Sequence, residues 1–253
     1  MTLHLEAACG CHIGKVRKNN EDNFFFDGRC LELENKGLRH PVLLERELHD
    51  EEFFAVFDGM GGEQFGEVAS FTAANCVKEH KKRLKDFFVP ESSFLKELCA
   101  RLNEAVLKEQ QKYCDDRMGT TMVGLLFAHR KVYVCNLGDS RAYRLRDGVF
   151  AQISVDHVES YNGKHIKKPL LTQHLGIDPE EFLIEPYIAK GDLEPGDQYL
   201  ICSDGITDML TNLDIVEIMK NASTAEDCVC GLINTALDNG GKDNMTAIIC
   251  RIN

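Results

Sequence analysis

Apolar positions along the chain alternate with polar ones, or run together, in short segments bounded by turn-forming residues. Such segments cover 3–9, 24–26, 53–57, 120–128, 131–135, 141–146, 182–189, 198–202 and 245–251, and each predicts a β-strand. Short connections at 128–131 and at Asp147-Gly148 predict antiparallel hairpins. Apolar residues recur every three or four positions over 67–85 and 93–113, and over shorter stretches at 213–220 and 224–239, which predicts helices. Ser223, with Glu226 three positions on, reads as a capping box for the last of them. Two long helices ahead of a run of strands fit an α+β fold, helices packed on antiparallel sheets, better than alternating βαβ units. Residues 28–52 are polar and irregular and predict a surface excursion between strands. No repeat, low-complexity tract or linker interrupts the pattern, so residues 1–253 read as a single domain with a full core.

Charge and composition narrow the partners. A formal net charge of -12 disfavours nucleic acid or an anionic membrane surface, since both repel such a chain at long range. No run reaches the roughly 18 apolar residues that a membrane-spanning helix needs. Residues 1–10 lack the basic start and apolar run of a secretion signal, so the eleven cysteines read as reduced thiols of a cytoplasmic protein. The close pairs Cys9/Cys11 and Cys228/Cys230 have no matching second pair or flanking histidine for zinc, and read as small buried hydrophobes.

The chemistry is carried by aspartates at the ends of apolar strands. Phe53-Phe-Ala-Val-Phe-Asp58-Gly59 and Tyr199-Leu-Ile-Cys-Ser-Asp204-Gly205 are near-copies, and in each the glycine is expected to turn the backbone sharply and bring a carbonyl near the carboxylate. Asp22 and Asp243 stand just before two further strands. Mg²⁺ and Mn²⁺ take oxygen ligands in octahedral geometry and keep several waters, so a few aspartates and a carbonyl suffice to hold them. Two such ions about 4 Å apart can clamp an in-line displacement at phosphorus. Asp27-Gly28 and Asp147-Gly148 serve as controls, because the same dipeptide there reads as a plain turn.

Seven motifs occur in an order that resembles the metal-dependent serine/threonine protein phosphatases of the PPM, or type 2C, family, in its bacterial-type branch. They are Gly14-Lys-Val-Arg17-Lys-Asn-Asn-Glu21-Asp22, Phe54-Ala-Val-Phe-Asp58-Gly-Met-Gly-Gly62, Met118-Gly-Thr-Thr121, Asn136-Leu-Gly-Asp139-Ser-Arg141-Ala-Tyr143, Asp156-His157, Ser203-Asp-Gly-Ile-Thr-Asp208 and Gly240-Gly-Lys-Asp-Asn244. The resemblance reaches over nearly the whole chain. It implies a four-layer αββα sandwich of two mainly antiparallel sheets flanked by helices. It also implies hydrolysis of phosphoserine and phosphothreonine by a hydroxide activated between two Mg²⁺ or Mn²⁺ ions, with no phosphoenzyme intermediate.

Carried over by position, the resemblance makes Asp58 the bridging ligand, completed by the Gly59 carbonyl, Asp22, Asp204 and Asp243, with Glu21 acting through water. Asp116, next to Asp115, falls at the position of a weaker third metal. Arg17 falls at the phosphate-binding position, where its planar fork suits two phosphoryl oxygens better than the point charges of Lys15 and Lys18. Phosphorylated proteins, opposing a serine/threonine kinase, are the implied partners. The segments 119–121 and 136–141 read as scaffolding, with Asp139 paired to Arg141.

Two features depart from the family pattern. Met60 stands where many members carry a histidine able to protonate the leaving alcohol, and His157 reads as a structural hydrogen-bonding residue, so that proton has no assigned donor. Only residues 158–169 remain where relatives carry a longer flap, so a shortened flap and a more open site are expected. Two rival readings exist. Cys11 and Arg17 fit the Cys-x5-Arg spacing of a thiol phosphatase loop, though such a loop should lead into a helix. A pseudophosphatase would be expected to lose metal acids, and here all are present.

Overall fold

The computed structural model describes residues 2–61, 65–84, 90–113, 118–159 and 170–253, with the side chains of 80–84 left aside. Two antiparallel sheets form its centre. The first contains β1 (His4–His12), β3 (Val42–Glu47), β8 (Arg141–Arg146), β9 (Val149–Gln152), β11 (Gln198–Cys202) and β12 (Met245–Ile252), in the order β3-β1-β12-β11-β8-β9. The second contains β2 (Asp22–Phe25), β4 (Glu52–Gly61), β6 (Met122–Ala128), β7 (Lys131–Leu137) and β10 (Tyr187–Asp192), in the order β10-β7-β6-β4-β2. β5 (Met118–Thr120) pairs with the far end of β4.

Inner strands such as β6 and β12 are apolar along most of their length because each has two faces to bury. In β6, Val123, Leu125 and Phe127 face the other sheet, while Met122, Leu126 and Ala128 pack under the helices α1 (Gly66–Leu84) and α2 (Glu91–Gln110). In β12, Ile248, Cys250 and Ile252 join the inter-sheet core. Met245, Ala247 and Ile249 pack under α4 (Asn212–Asn221) and α5 (Ala225–Asp238). The period of two sorts each strand between two cores. Helix, sheet, sheet and helix therefore stack as the four layers expected.

Several local expectations change. β3 lies inside the segment read as irregular: it is an edge strand, half exposed and carrying Glu45, Arg46 and Glu47, so charge masks its alternation. β9 is likewise an unexpected edge strand, only four residues long and half exposed, although its hairpin turn was expected. β10 starts at Tyr187 rather than 182, and Phe182 and Leu183 are exposed. The turns at Asp27-Gly28, His129-Arg130 and Asp147-Gly148 each place two successive residues at positive φ, as two-residue hairpin turns of type I′ do. Both control dipeptides are thus turns, and Asp27 binds Arg46 at 2.7 Å. The shortened flap falls mostly on residues 160–169, outside the described residues. Its flanks meet, Glu159 N donating to Leu170 O and Thr172 N to His157 O. Among the described residues no helix is long and apolar enough to cross a membrane.

Ser223 does not cap α5. The N-cap is Thr224, whose hydroxyl accepts from Asp227 N at 3.0 Å, while the full capping box sits on α4 between Thr211 and Asp214. Thr224→Ala should therefore lower stability in urea denaturation by about 1 kcal/mol, and Ser223→Ala should change it far less. The reverse ranking would restore Ser223 as the cap.

Candidate active site

The antiparallel register of β2 and β4 sets Asp22 opposite Asp58 at one end of the sandwich. β4 does not end at Asp58 but runs on to Gly61. The backbone of Asp58 is held by the threonines of the next segment. Asp58 N donates to Thr121 Oγ1 at 3.1 Å, while its carbonyl accepts from Thr121 N at 2.9 Å and from Thr120 Oγ1 at 3.0 Å. Gly59 makes no sharp turn, contrary to expectation; it is required by space, since a β-carbon there would lie 2.1 Å from Gly66 O and 2.5 Å from Glu21 O. Gly205 follows suit: a β-carbon there would lie 1.8 Å from Asn244 O, within the short helix α3 (Asp204–Thr207), which begins directly after β11 and Ser203.

Asp243 precedes β12 as expected, and its neighbour Asn244 ties down the loop that carries Arg17 and Glu21. The Asn244 amide donates to Ile13 O at 2.8 Å and Asn19 O at 2.9 Å, and its oxygen accepts from Glu21 N at 2.7 Å. Gly59 N in turn donates to Glu21 O at 3.0 Å. Arg17 reaches across with Nη2 2.6 Å from Asp243 Oδ2.

These elements enclose a cleft of about 650 Å³ whose charged wall is Arg17, Glu21, Asp58, Asp139, Asp204 and Asp243, with Thr121 and His174 beside them. Five carboxylates thus face one guanidinium. Burial pushes the Asp58 carboxyl well above the usual carboxylate range, and Asp204, Asp22 and Asp139 push it further; Asp58 also hydrogen-bonds Asp204. The expected Asp139–Arg141 pair does not describe this site. Arg141 instead grips Asp156, with Nη2 2.7 Å and Nε 2.9 Å from Oδ2, and Asp139 joins the acids of the cleft.

Asp22 is placed below the cleft rather than in its wall. It is 1 % exposed, and its Oδ2 accepts from Ser203 Oγ at 2.6 Å and Thr246 Oγ1 at 2.7 Å. Burial raises its pKa to about 7, against the pull of those two hydroxyls and with help from Asp204 and Asp243. Asp115 and Asp116 lie outside the described residues.

The donor set suits hard divalent ions. Every carboxylate is an oxygen ligand, and among the described residues no three acidic, histidine or cysteine side chains close on a single point. Acids spread around a roomy cleft fit ions that keep much of their water, as Mg²⁺ and Mn²⁺ do.

The thiol route fails on position and protonation. Cys11 is buried inside β1, its sulfur takes hydrogen bonds from Thr246 Oγ1 at 3.1 Å and Asn20 at 3.3 Å, and burial drives its pKa to about 12. A thiol so placed supplies no thiolate near neutrality. Arg17 meanwhile belongs to the carboxylates. His157 is structural, as expected, its Nδ1 accepting from Gly138 N at 3.2 Å. The roles of Asp139, Ser203 and Thr246 escaped sequence reading, because they depend on which distant segment faces each residue.

Comparison with known proteins agrees with this geometry. The family model for protein phosphatase 2C matches residues 44–248. The serine/threonine phosphatase stp of Listeria innocua serovar 6a is 27% identical over 255 residues, covering 95% of this chain and 93% of its own. The serine/threonine protein phosphatase PstP of Mycobacterium tuberculosis is 30% identical over 266 residues, covering 100% of this chain and 46% of PstP. The catalytic domain of PstP, solved in complex with two manganese ions, superposes with a TM-score of 0.74 at 28% identity over 99% of both chains. The fold, the acid-lined cleft and the match along most of its length place the chain in the protein phosphatase 2C family, as a serine/threonine protein phosphatase.

Proposed function

We propose that the cleft holds a pair of Mn²⁺ or Mg²⁺ ions through Asp58, Asp204, Asp243 and the Gly59 carbonyl. Glu21 acts through water, and Asp22 supports the set from beneath with the oxygen its two hydroxyl donors leave available. The observation that carries this is the gathering of five carboxylates against one arginine, with the Asp58 carboxyl pushed well above the usual range by burial and by its neighbours. Bound cations would offset that mutual repulsion. Bound there, the ions would supply Lewis-acid polarisation of the phosphoryl group and a water acidic enough to attack it.

The residues of the chain do the positioning. Arg17 presents its fork to the phosphoryl oxygens while its bond to Asp243 fixes the guanidinium plane. Clamping by Thr120, Thr121 and Asn244 keeps Asp58 and Glu21 from drifting as charge builds on the substrate. By the family resemblance, Asp204 together with Asp116 or its neighbour Asp115 would hold a weaker third ion. The substrates are phosphoproteins, made by a serine/threonine kinase that this enzyme opposes. A cytoplasmic setting is supported by the ten described cysteines, all free thiols and most of them packed as core side chains.

Asp58→Asn and Asp243→Asn should each lower phosphopeptide hydrolysis by about two orders of magnitude or more. Calorimetry should show weakened Mn²⁺ binding in the same variants. Undiminished turnover in either would overturn the assignment. Chelator should abolish hydrolysis and added Mn²⁺ restore it. Cys11→Ser should keep activity within a few-fold of the parent, whereas its loss would revive the thiol route.

A further inference from the structure

Hydrolysis of a serine or threonine phosphate expels an alkoxide, which must be protonated as it leaves. Among the described residues of the cleft few can do this. Arg17 does not give up its proton. The Thr121 hydroxyl is held between Asp58 N and Ser140 Oγ, the latter at 2.7 Å. Met60, Leu170 and Leu171 have no proton to give. The remaining nitrogen acid in the wall is His174.

Its place is fixed by the same hydrogen bonds that fix Asp58. Leu175, the next residue, exchanges two backbone bonds with Thr120, at 2.9 and 3.2 Å, and Thr120 Oγ1 donates to Asp58 O. On either side Gln173 Oε1 accepts from Glu185 N at 2.8 Å, and Asn103 Oδ1 accepts from Gly176 N at 2.7 Å. The imidazole lies over Gly119 beside Met60: a β-carbon on Gly119 would be 2.8 Å from His174 Nδ1 and 3.1 Å from the Met60 methyl carbon. His174 Nδ1 is 2.9 Å from Leu175 O. A carbonyl oxygen only accepts, so Nδ1 carries the hydrogen, and Nε2 is the position at which a proton is exchanged with a ligand.

We infer that His174 is the general acid that protonates the departing serine or threonine oxygen, an inference that rests on the phosphatase reading above. As the bond from phosphorus to that oxygen breaks, its electron pair stays on the oxygen and the Nε2 proton of the imidazolium moves onto it. The new bond to phosphorus comes from the attacking water, whose lost proton returns through solvent to Nε2. Alcohol and phosphate leave, and Nδ1 keeps its hydrogen on Leu175 O throughout. Met60 beside the ring then needs no proton of its own.

Leaving-group dependence tests this. Phosphothreonine peptide and p-nitrophenyl phosphate are compared in the parent, His174→Ala and His174→Gln, all with saturating Mn²⁺. Nitrophenolate departs without a proton, so the variants should lose about a hundredfold or more in kcat on the peptide and no more than about threefold on the aryl ester. Equal losses on both substrates, or an unchanged peptide rate, would overturn the role. Mn²⁺ binding by calorimetry should match the parent in at least one variant. In the metal-free parent, imidazole ¹⁵N shifts should report hydrogen on Nδ1; hydrogen on Nε2 alone in the neutral ring counts against the geometry. If the parent hydrolyses neither substrate with Mn²⁺, the phosphatase reading fails and this inference with it.

Discussion

Mutual repulsion among carboxylates gathered at one end of a sandwich is the constraint on which this structure turns. Glu21, Asp58, Asp139, Asp204 and Asp243 share a cleft, with Asp22 buried just beneath and Arg17 as the cation among the described lining residues. Left to themselves, flexible acids at this density would splay into solvent. They stay because each is delivered by an element anchored in one of three apolar cores, two of which lie on opposite faces of the same strands. The large buried interior thus holds in place a polar site that is unfavourable until cations occupy it.

The direction of the pKa shifts expresses that cost. Burial and neighbouring acids raise both Asp22 and Asp58 above their ordinary values. A carboxyl whose folded value is raised holds its proton more tightly folded than unfolded. The cost of ionising it therefore falls on the folded state as pH climbs from the ordinary carboxylate range towards about 7 for Asp22. Cations replacing those protons remove the cost, so metal binding and folding pull the same way.

Much of this was legible in the chain. Inner strands announce themselves because an apolar run buried on both faces resembles little else, and the two long helices show their period. The edge strands Val42–Glu47 and Val149–Gln152 were not legible, the first because a half-exposed strand bearing charge looks like a loop, the second because four half-exposed residues are too few to show a period. The acids were found, but the reasons attached to them shifted. Asp-Gly at 58 and 204 looks like Asp-Gly at 27 and 147, yet only the latter pair makes turns, while Gly59 and Gly205 are small because backbone crosses them. That distinction depends on which distant segment lies overhead. The same holds for Asp139, whose neighbour in sequence, Arg141, binds Asp156 instead.

Asp22 and Asp58, facing each other across one register, show how context divides identical side chains. Asp22 receives Ser203 and Thr246 on a single oxygen, and those hydroxyls come from the start of α3 and from β12, so it ties together the elements that bear Asp204 and Asp243. Asp58 has its backbone clamped by Thr120 and Thr121, which leaves its carboxyl to face the cleft and Asp204. One aspartate joins the two sheets through its hydroxyl partners, and the other lines the cleft. Their opposition in the β2–β4 ladder makes the division possible, because a rigid buried acid sets the position of an open one a single strand spacing away.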